Sequence, residues 1–591
     1  MGSILLEDGA AFRVWAPFAD AVAVAGTFNA WSTTANPLAN EGNGCWSADL
    51  RGPKVGDQYK LVIRRNADLL WKTNPYAREV TGSTGNAVIH DRDFDWTGDQ
   101  FTMPPWNELV VYEMHVGTFN DLPTPGPGTF ADVILKLPYL RDLGVNAVEI
   151  MPVLEFPMSY SWGYNPSHPF AVETSLGGPQ GLQNFVKAAH QHGIAVIMDV
   201  VYNHFGPGDL DLWRFDGWSE PGHDGGIYFY GGDRARTPWG DTRPDYGRPE
   251  VRQFLRDNAL QWLHKFRVDG LRFDATAYIR NIYGNNNDGW NDIPDGWSLL
   301  QWLNNEVAAS QPWKITIAED LRNNEWITQE TGGGGAGFGS QWDAEFVHPV
   351  RDALLAQNDS DRDMAAVRRA IENRNGADAF RRVIYTESHD EDANGHLRIP
   401  SEIWPGNAGS YFSRKRSTLG AALVFTAPGI PMIFQGQEFL EDEYFRDDDP
   451  LDWSKAQTYQ GIRQLYTDLM RLRRNWFNHT RGLRGQHVHV HHVNPADKVI
   501  AFHRWEQGGP GDDVVVLLNF ANRGYADYRI GLPRPGLWRV RFNSDWNGYS
   551  ADYNNWGSYD ARAEEVGRDG MPCQGSLGLG PYSAVILSQD P

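Results

Sequence analysis

Seven short apolar segments constrain this chain more than anything else in it: LVVYEMHV, AVEIMPV, AVIMDVV, GLRFDA, ITIAED, VIYTESHD and IPMIFQG. They lie between about residues 106 and 480 and alternate with amphipathic stretches such as GLQNFVKAAHQHG and PEVRQFLRDNALQWLHKF. Short apolar runs separated by helix-period segments predict serial βα units, and this many in series predict a closed (β/α)8 barrel over an open sheet. Charged and imidazole residues fall at the C-terminal end of strand after strand, the end on which barrel enzymes build their sites.

The flanking segments carry a different period. Residues 1–103 read as short alternating strands (AFRVWAP, AVAVAGTF, GCWSADL, DQYKLVIRR) and predict an N-terminal β-sandwich, followed by a linker in DFDWTGDQFTMPPWNE. The predicted organisation is an α/β fold: a (β/α)8 TIM barrel over 104–485 with a short lobe at about 205–246 inserted after strand 3. A second sandwich over 486–591 follows from HVHVHHV, VIAFHRW, DVVVLLNF, LWRVRF and SAVILS. The run TGGGGAG at 331–337 lacks the Lys-Ser/Thr ending of a phosphate cradle and reads as a flexible loop.

Charge and composition exclude whole classes of partner. The net charge of −22 opposes nucleic acid and anionic membranes, and it suits a neutral, polyhydroxylated substrate. With 24 Trp and 62 Gly the chain has the flat apolar surfaces and loops of a globular enzyme. No apolar run of about 18 residues is present, so no ordinary membrane span is expected. The opening MGSILLEDGAAF lacks the apolar core of a secretory signal, and Cys45 and Cys573 alone define no disulfide scaffold. The expectation is a soluble cytoplasmic enzyme.

The strand ends gather Asp199 and His204 (DVVYNH), Arg272 and Asp274 (GLRFDA), Glu319 (IAED), and His389 with Asp390 (ESHDE). Taken singly, each has a plain structural reading as a cap, a hydrogen-bonded imidazole or the start of a solvated loop. Aimed together at one barrel mouth, four carboxylates, an arginine and two histidines serve chemistry rather than scaffold. Arg272 and Asp274, two apart on a strand, share a side, so the guanidinium keeps Asp274 ionised as a nucleophile must be. Glu319 on the next strand would hold its proton, donate it, then act as base. Retaining glycosidases place two such carboxyls about 5–5.5 Å apart. His204 and His389 would hydrogen-bond sugar hydroxyls, and Asp390 would accept from them and favour ring distortion. The ligand spacing of zinc sites is absent from these segments, and an arginine among the acids opposes a cation, so neither metal nor cofactor is expected.

These segments, in this order, resemble the four signature regions of the α-amylase family of glycoside hydrolases (family 13), retaining (β/α)8-barrel enzymes acting on α-glucans. The resemblance implies Asp274 as nucleophile, Glu319 as acid/base and Asp390 as transition-state stabiliser, with Arg272, Asp199, His204 and His389 at sugar-binding positions. Tyr164, in SWGYNP, matches the aromatic under the sugar at the cleavage site, and Trp162 and Glu391 are expected to touch substrate as well. FRVWAP, GTFNAW, YKL and NPYA resemble a starch-binding sandwich of carbohydrate-binding module family 48, where Trp31 and Trp46 offer stacking surfaces or, equally, serve as core. Ala277 and Tyr278 stand where many members carry Lys-His, which puts a family-type calcium site in doubt.

SHDE, FQGQEF with DPLDW, and the last-domain segment NFANRGYADYRIGLPRPGLWRVRFNSD resemble 1,4-α-glucan branching enzymes. YNHFGPGD and TPWGD resemble maltooligosyltrehalose trehalohydrolases, although that group carries HDQ where this chain has HDE. The leading expectation is therefore a branching-type transglycosylase forming α-1,6 linkages, with starch, glycogen and maltooligosaccharides as partners. An endo-acting α-amylase-type hydrolase is second and a trehalohydrolase third. A glucan-binding protein with a disabled barrel is the non-enzymatic alternative, and the complete acid trio opposes it.

Overall fold

The computed structural model describes residues 1–591 apart from 92, 123, 124, 375 and 377. Eight parallel strands close into a barrel: β1 (Val111–Met114), β2 (Ala147–Ile150), β3 (Ala195–Val200), β4 (Gly270–Phe273), β5 (Ile315–Ala318), β6 (Ser340–Trp342), β7 (Arg382–Ile384) and β8 (Ile430–Phe434). Every residue of β3, β4 and β5 is buried, which is why they read as unbroken apolar runs without alternation. Gly270 begins β4 because a Cβ there would lie 2.7 Å from the Ile315 carbonyl oxygen. The strand absent from the seven apolar segments is β6, only Ser-Gln-Trp long, held by pairing Gln341 with Arg382 and Trp342 with Val383.

The crossovers follow the predicted pattern with one departure. Helices Gly178–Gln191, Pro249–His264 and Pro294–Ser310 each carry proline in the first turn, where a missing N–H costs nothing. Between β5 and β6, by contrast, the chain makes only two short 3-10 turns. The glycine-rich run expected to be flexible is docked along helix Pro294–Ser310. Trp297 Nε1, Gln301 Nε2 and Asn304 Nδ2 donate to the carbonyls of Gly334, Gly335 and Ala336 at 3.1, 2.8 and 2.8 Å. Among the described residues no helix is long and apolar enough to cross a membrane, and Cys45 and Cys573 are free thiols.

The chain divides into two compact units, the first comprising 1–101, 115–137 and 149–338, the second 102–114, 138–148 and 339–591. In the first, an antiparallel sheet of Gly2–Leu6, Gly9–Trp15, Cys45–Arg51 and Ala39–Gly42 accompanies a second of Ala21–Gly26, Gln58–Arg65 and Asp68–Lys72. Phe12 and Tyr59, both buried, meet edge-on at 5.0 Å to join them. The inserted lobe is clamped to this N-terminal domain: Asp211 accepts from the Thr73 N–H at 2.8 Å and from Lys60 Nζ at 3.3 Å. Asp216 accepts from the Phe18 N–H at 2.9 Å, and the Phe18 ring stacks on Trp218 at 4.9 Å.

The linker of the first unit is fastened by a buried histidine. His190 Nδ1 lies 2.8 Å from Asp99 and Nε2 2.9 Å from Asp269, while Phe101 stacks on the ring at 4.4 Å. Burial disfavours the imidazolium, but Asp269 and Asp99 outweigh it and raise the pKa above the ordinary histidine value. A folded pKa above the unfolded one gives stability that is complete below the unfolded value of about 6.5 and is lost as pH rises through the raised value. His190→Gln is therefore expected to cost about 2–3 kcal/mol at pH 6 and less at pH 9. Thermal unfolding of both proteins at the two pH values checks this; a gap independent of pH would mean the ring is neutral.

The second unit carries the C-terminal domain, whose larger sheet runs His487–Asn494, Val499–Trp505, Val514–Asn519, Ser583–Ser588, Gly536–Asn543 and Ala561–Ala563, with Tyr525–Leu532 and Cys573–Leu579 as a second pair. Val499, Leu517, Ile530, Trp538, Leu577 and Leu587 form its core. Helix Tyr411–Thr426 is joined to it by the fully buried pair Lys415–Asp545 at 2.7 Å.

Candidate active site

Ladder register decides which side chains meet in the first unit. Asp199 pairs with Arg272 across β3 and β4, and Phe273 with Ala318 across β4 and β5. Asp274 and Glu319, one residue further along, therefore stand at the same height, and the period of two puts Asp274 on the side of Arg272. The Arg272 side chain is completely buried. Its Nη1 donates to Asp199 Oδ2 at 2.7 Å and Asp274 Oδ1 at 3.1 Å, and its Nη2 lies 3.0 Å from Glu319 Oε2. One guanidinium thus gathers three of the expected acids.

Burial works against the charge on Arg272, but Asp199, Glu319, Tyr164 and Asp274 outweigh it and hold the pKa well above the ordinary arginine value. The guanidinium stands where a cation among three carboxylates would sit. Among the described residues no group of three or more His, Cys, Asp or Glu is arranged to hold a metal.

The turn after Asp274 is strained to serve the acid opposite. Ala275 lies in the left-handed region (φ 40°, ψ 50°), a conformation that costs a residue with a side chain about 1–3 kcal/mol. That turn aims the Ala275 N–H at Glu319 Oε2, 2.7 Å away, and the Thr276 N–H at the Glu319 carbonyl, 2.9 Å away. Main chain and side chain of Glu319 are both fixed to the segment that carries Asp274.

Tyr164 is half-buried, donates its hydroxyl to Asp199 Oδ2 at 2.8 Å and has its ring 5.9 Å from the Arg272 guanidinium carbon. Gly163 makes this placement possible: at φ +91° its Cβ would lie 2.0 Å from the Pro152 carbonyl oxygen. Trp162, on the same turn, is half-buried. His204 is fully buried, 3.3 Å from Asn165 Oδ1, and burial pushes its pKa down to about 3, with the Arg243 charge adding to the effect. It meets substrate as a neutral imidazole. Against it stacks Trp239, at 4.9 Å and 17°. That indole was not among the sequence candidates, though TPWGD held the signal, a tryptophan in a Pro-Trp-Gly turn.

The second unit holds the remaining candidates. His389 is buried behind β7; its ring Nδ1 is hydrogen-bonded to Glu113 Oε1 and its backbone N–H donates to Glu113 Oε2 at 3.2 Å. A carboxylate on Nδ1 fixes the tautomer and orients the ring. Glu113 closes β1, and its signal was an acid inside the apolar run VVYEMHV. The Asp390 side chain remains partly exposed, 3.6 Å from His389 Nε2, and accepts from Asn394 Nδ2 at 3.1 Å. Glu391, expected on substrate, is engaged by His348 at 3.2 Å and Arg351 at 3.6 Å.

The two expected stacking residues of the N-terminal domain part company. Trp46 is 8% exposed and its indole N–H donates to the Ala16 carbonyl at 3.0 Å, so it is core and offers no platform. Trp31 packs half-buried on Ala23, Ala25 and Val62, with the exposed Trp71 beside it at 6.4 Å. A pair of indoles, not the predicted pair, faces outward there.

Known families match along nearly this whole length. The alpha amylase catalytic domain matches residues 96–210 and 242–478, and the alpha amylase C-terminal all-beta domain matches 489–590. The chain belongs to the alpha-amylase family. Carbohydrate-binding module 48, the isoamylase N-terminal domain, matches residues 1–77 of this alpha-amylase-family chain, and the break in the catalytic match falls inside the lobe. Among curated relatives, the 1,4-alpha-glucan branching enzyme GlgB of Corynebacterium jeikeium (strain K411) is 30% identical over 615 residues, 99% of this chain and 82% of that one. Two solved structures share the fold over the full chain. A putative alpha amylase from Salmonella typhimurium has a TM-score of 0.73 at 22% identity with 99% of its chain covered. Pullulanase from Anoxybacillus sp. LM18-11, complexed with maltotetraose, has a TM-score of 0.76 at 21% identity with 87% covered.

Proposed function

We propose that this alpha-amylase-family chain is a retaining 1,4-α-glucan branching-type transglycosylase. The observation that carries the retaining mechanism is the Arg272 guanidinium shared by Asp199, Asp274 and Glu319. It keeps Asp274 anionic for attack on the anomeric carbon while bringing a second carboxyl within reach of the same bond. Glu319 delivers a proton to the departing 4-oxygen, leaving a glycosyl ester on Asp274, and then removes the proton of the acceptor hydroxyl that displaces it. Asp390, oriented beside His389, accepts hydrogen bonds from the ring hydroxyls of the distorted sugar. Neutral His204 contributes a hydrogen bond and no charge. Branching relatives that match nearly the full length support a 6-hydroxyl acceptor over water.

Incubation with amylose tests the choice of acceptor. Iodine absorbance is expected to fall with few new reducing ends and with new α-1,6 anomeric signals in the proton spectrum. Reducing ends rising in step with the loss of iodine colour would assign water as acceptor and make the enzyme an endo-acting hydrolase. Trehalose release from maltooligosyl trehalose would assign it to the trehalohydrolases.

A further inference from the structure

Three aromatic side chains lead away from the catalytic cluster of the first unit, and none belongs to the acid machinery. Trp239 stacks one face on His204 yet stays 40% exposed. Its edge meets the half-buried Tyr278 at 5.2 Å and 74°. Tyr278 in turn packs on Gly284, where a Cβ would lie 2.9 Å from the ring, and Tyr283 beside that glycine is 52% exposed.

The three are held rigidly. Trp239 sits in a tight turn closed between Thr237 and Gly240, its N–H donating to Thr237 Oγ1 at 3.2 Å. Buried Asn281 accepts from the N–H groups of Tyr283 and Asn285 through Oδ1, at 2.9 and 3.1 Å. The buried Arg243 fastens the lobe to this second loop, donating to the carbonyls of Arg234 and Ile282 at 2.7 Å each. Exposed aromatic rings on braced loops waste apolar surface unless something flat covers them. No buried contact explains the outer face of Trp239 or the position of Tyr283.

We propose that Trp239, Tyr278 and Tyr283 form a stacking track for an α-1,4-glucan chain, running from the bond-breaking centre outward between the inserted lobe and the loop after β4. A glucose ring presents C–H faces to an aromatic ring and hydroxyls to water at its edge. Successive residues of one chain then cover successive rings, and because both loops are already ordered little entropy is lost on binding. The track rests on the glucan reading of the active site. It adds to that reading a preference for long chains, since a short ligand reaches Trp239 and stops before Tyr283.

Calorimetric titration of Asp274→Asn, which removes turnover, with maltoheptaose and with maltose tests this. In that background Trp239→Ala is expected to weaken maltoheptaose about tenfold, the factor equivalent to about 1.4 kcal/mol, and Trp239→Phe to restore most of it. Tyr283→Ala, which touches no catalytic group, is expected to weaken maltoheptaose about fivefold, within the range of an aromatic contact, and to leave maltose unchanged. Maltoheptaose binding that is indifferent to both alanine variants would overturn the track alone. Asp274→Asn that binds no maltoheptaose while remaining folded would overturn the glucan reading and the track with it.

Discussion

Asp274→Asn is expected to lower turnover of amylose by about four orders of magnitude or more, the scale on which removal of a nucleophile acts. The change is conservative in shape. The Asn carbonyl oxygen can still accept from Arg272 Nη1, which lies 3.1 Å from Asp274 Oδ1, so the barrel mouth keeps its geometry. Thermal unfolding within a few degrees of the parent and retained maltoheptaose binding would show that chemistry alone is lost. Glu319→Gln makes a sharper contrast, because proton donation matters only as much as the leaving group needs it. It should depress turnover of a natural glucan strongly and that of an aryl maltoside with an acidic phenol far less. Asp274→Asn should depress both alike. Steady-state rates on the two substrates decide the matter, and Asp274→Asn with substantial activity on either would remove Asp274 from the role of nucleophile.

What was legible in the sequence followed from how each residue's signal is generated. GLRFDA announced its charges because nothing else in β4 is polar, and an ionisable pair in a buried strand has few purposes. The parallel register then placed Asp199 and Glu319 around Arg272 as the order of segments implied. The sixth strand gave no such signal: three residues, Ser340 to Trp342, have no period, and only the neighbouring β7 makes them a strand. Trp46 failed as a surface residue for a related reason. A tryptophan in an alternating strand carries no mark of which face it takes, and its indole N–H found a carbonyl inside the domain. Trp71 and Trp239, which do face outward, lie in a two-stranded margin and in the lobe, where local sequence says little about neighbours. Glu113 was readable in principle, as an acid in an apolar run, but its partner His389 lies 276 residues away. Long-range partners of this kind are set by barrel closure, and no local pattern encodes them.

Arg272→Ala should have the largest effect on stability of any single substitution in the first unit, and its pH dependence should identify the cause. The side chain is fully buried and bound to three carboxylates. Removing one partner of a buried charge network costs about 3–5 kcal/mol, because the remaining charges stay out of water without compensation. Here three like charges would also repel one another across a small cavity. Arg272→Lys keeps the charge but not the fork: a single ammonium cannot serve both Nη1 and Nη2 directions, so it should recover part of the stability and little of the activity. The repulsion has a sign that can be checked. Protonating any of the three acids relieves it, so the deficit of Arg272→Ala relative to the parent should shrink as pH falls from 7.5 to 5. A simple cavity left by a lost side chain would cost the same at both. Urea unfolding at the two pH values distinguishes them, and a deficit that holds constant or widens on acidification would mean the three carboxylates do not depend on Arg272 for their charge.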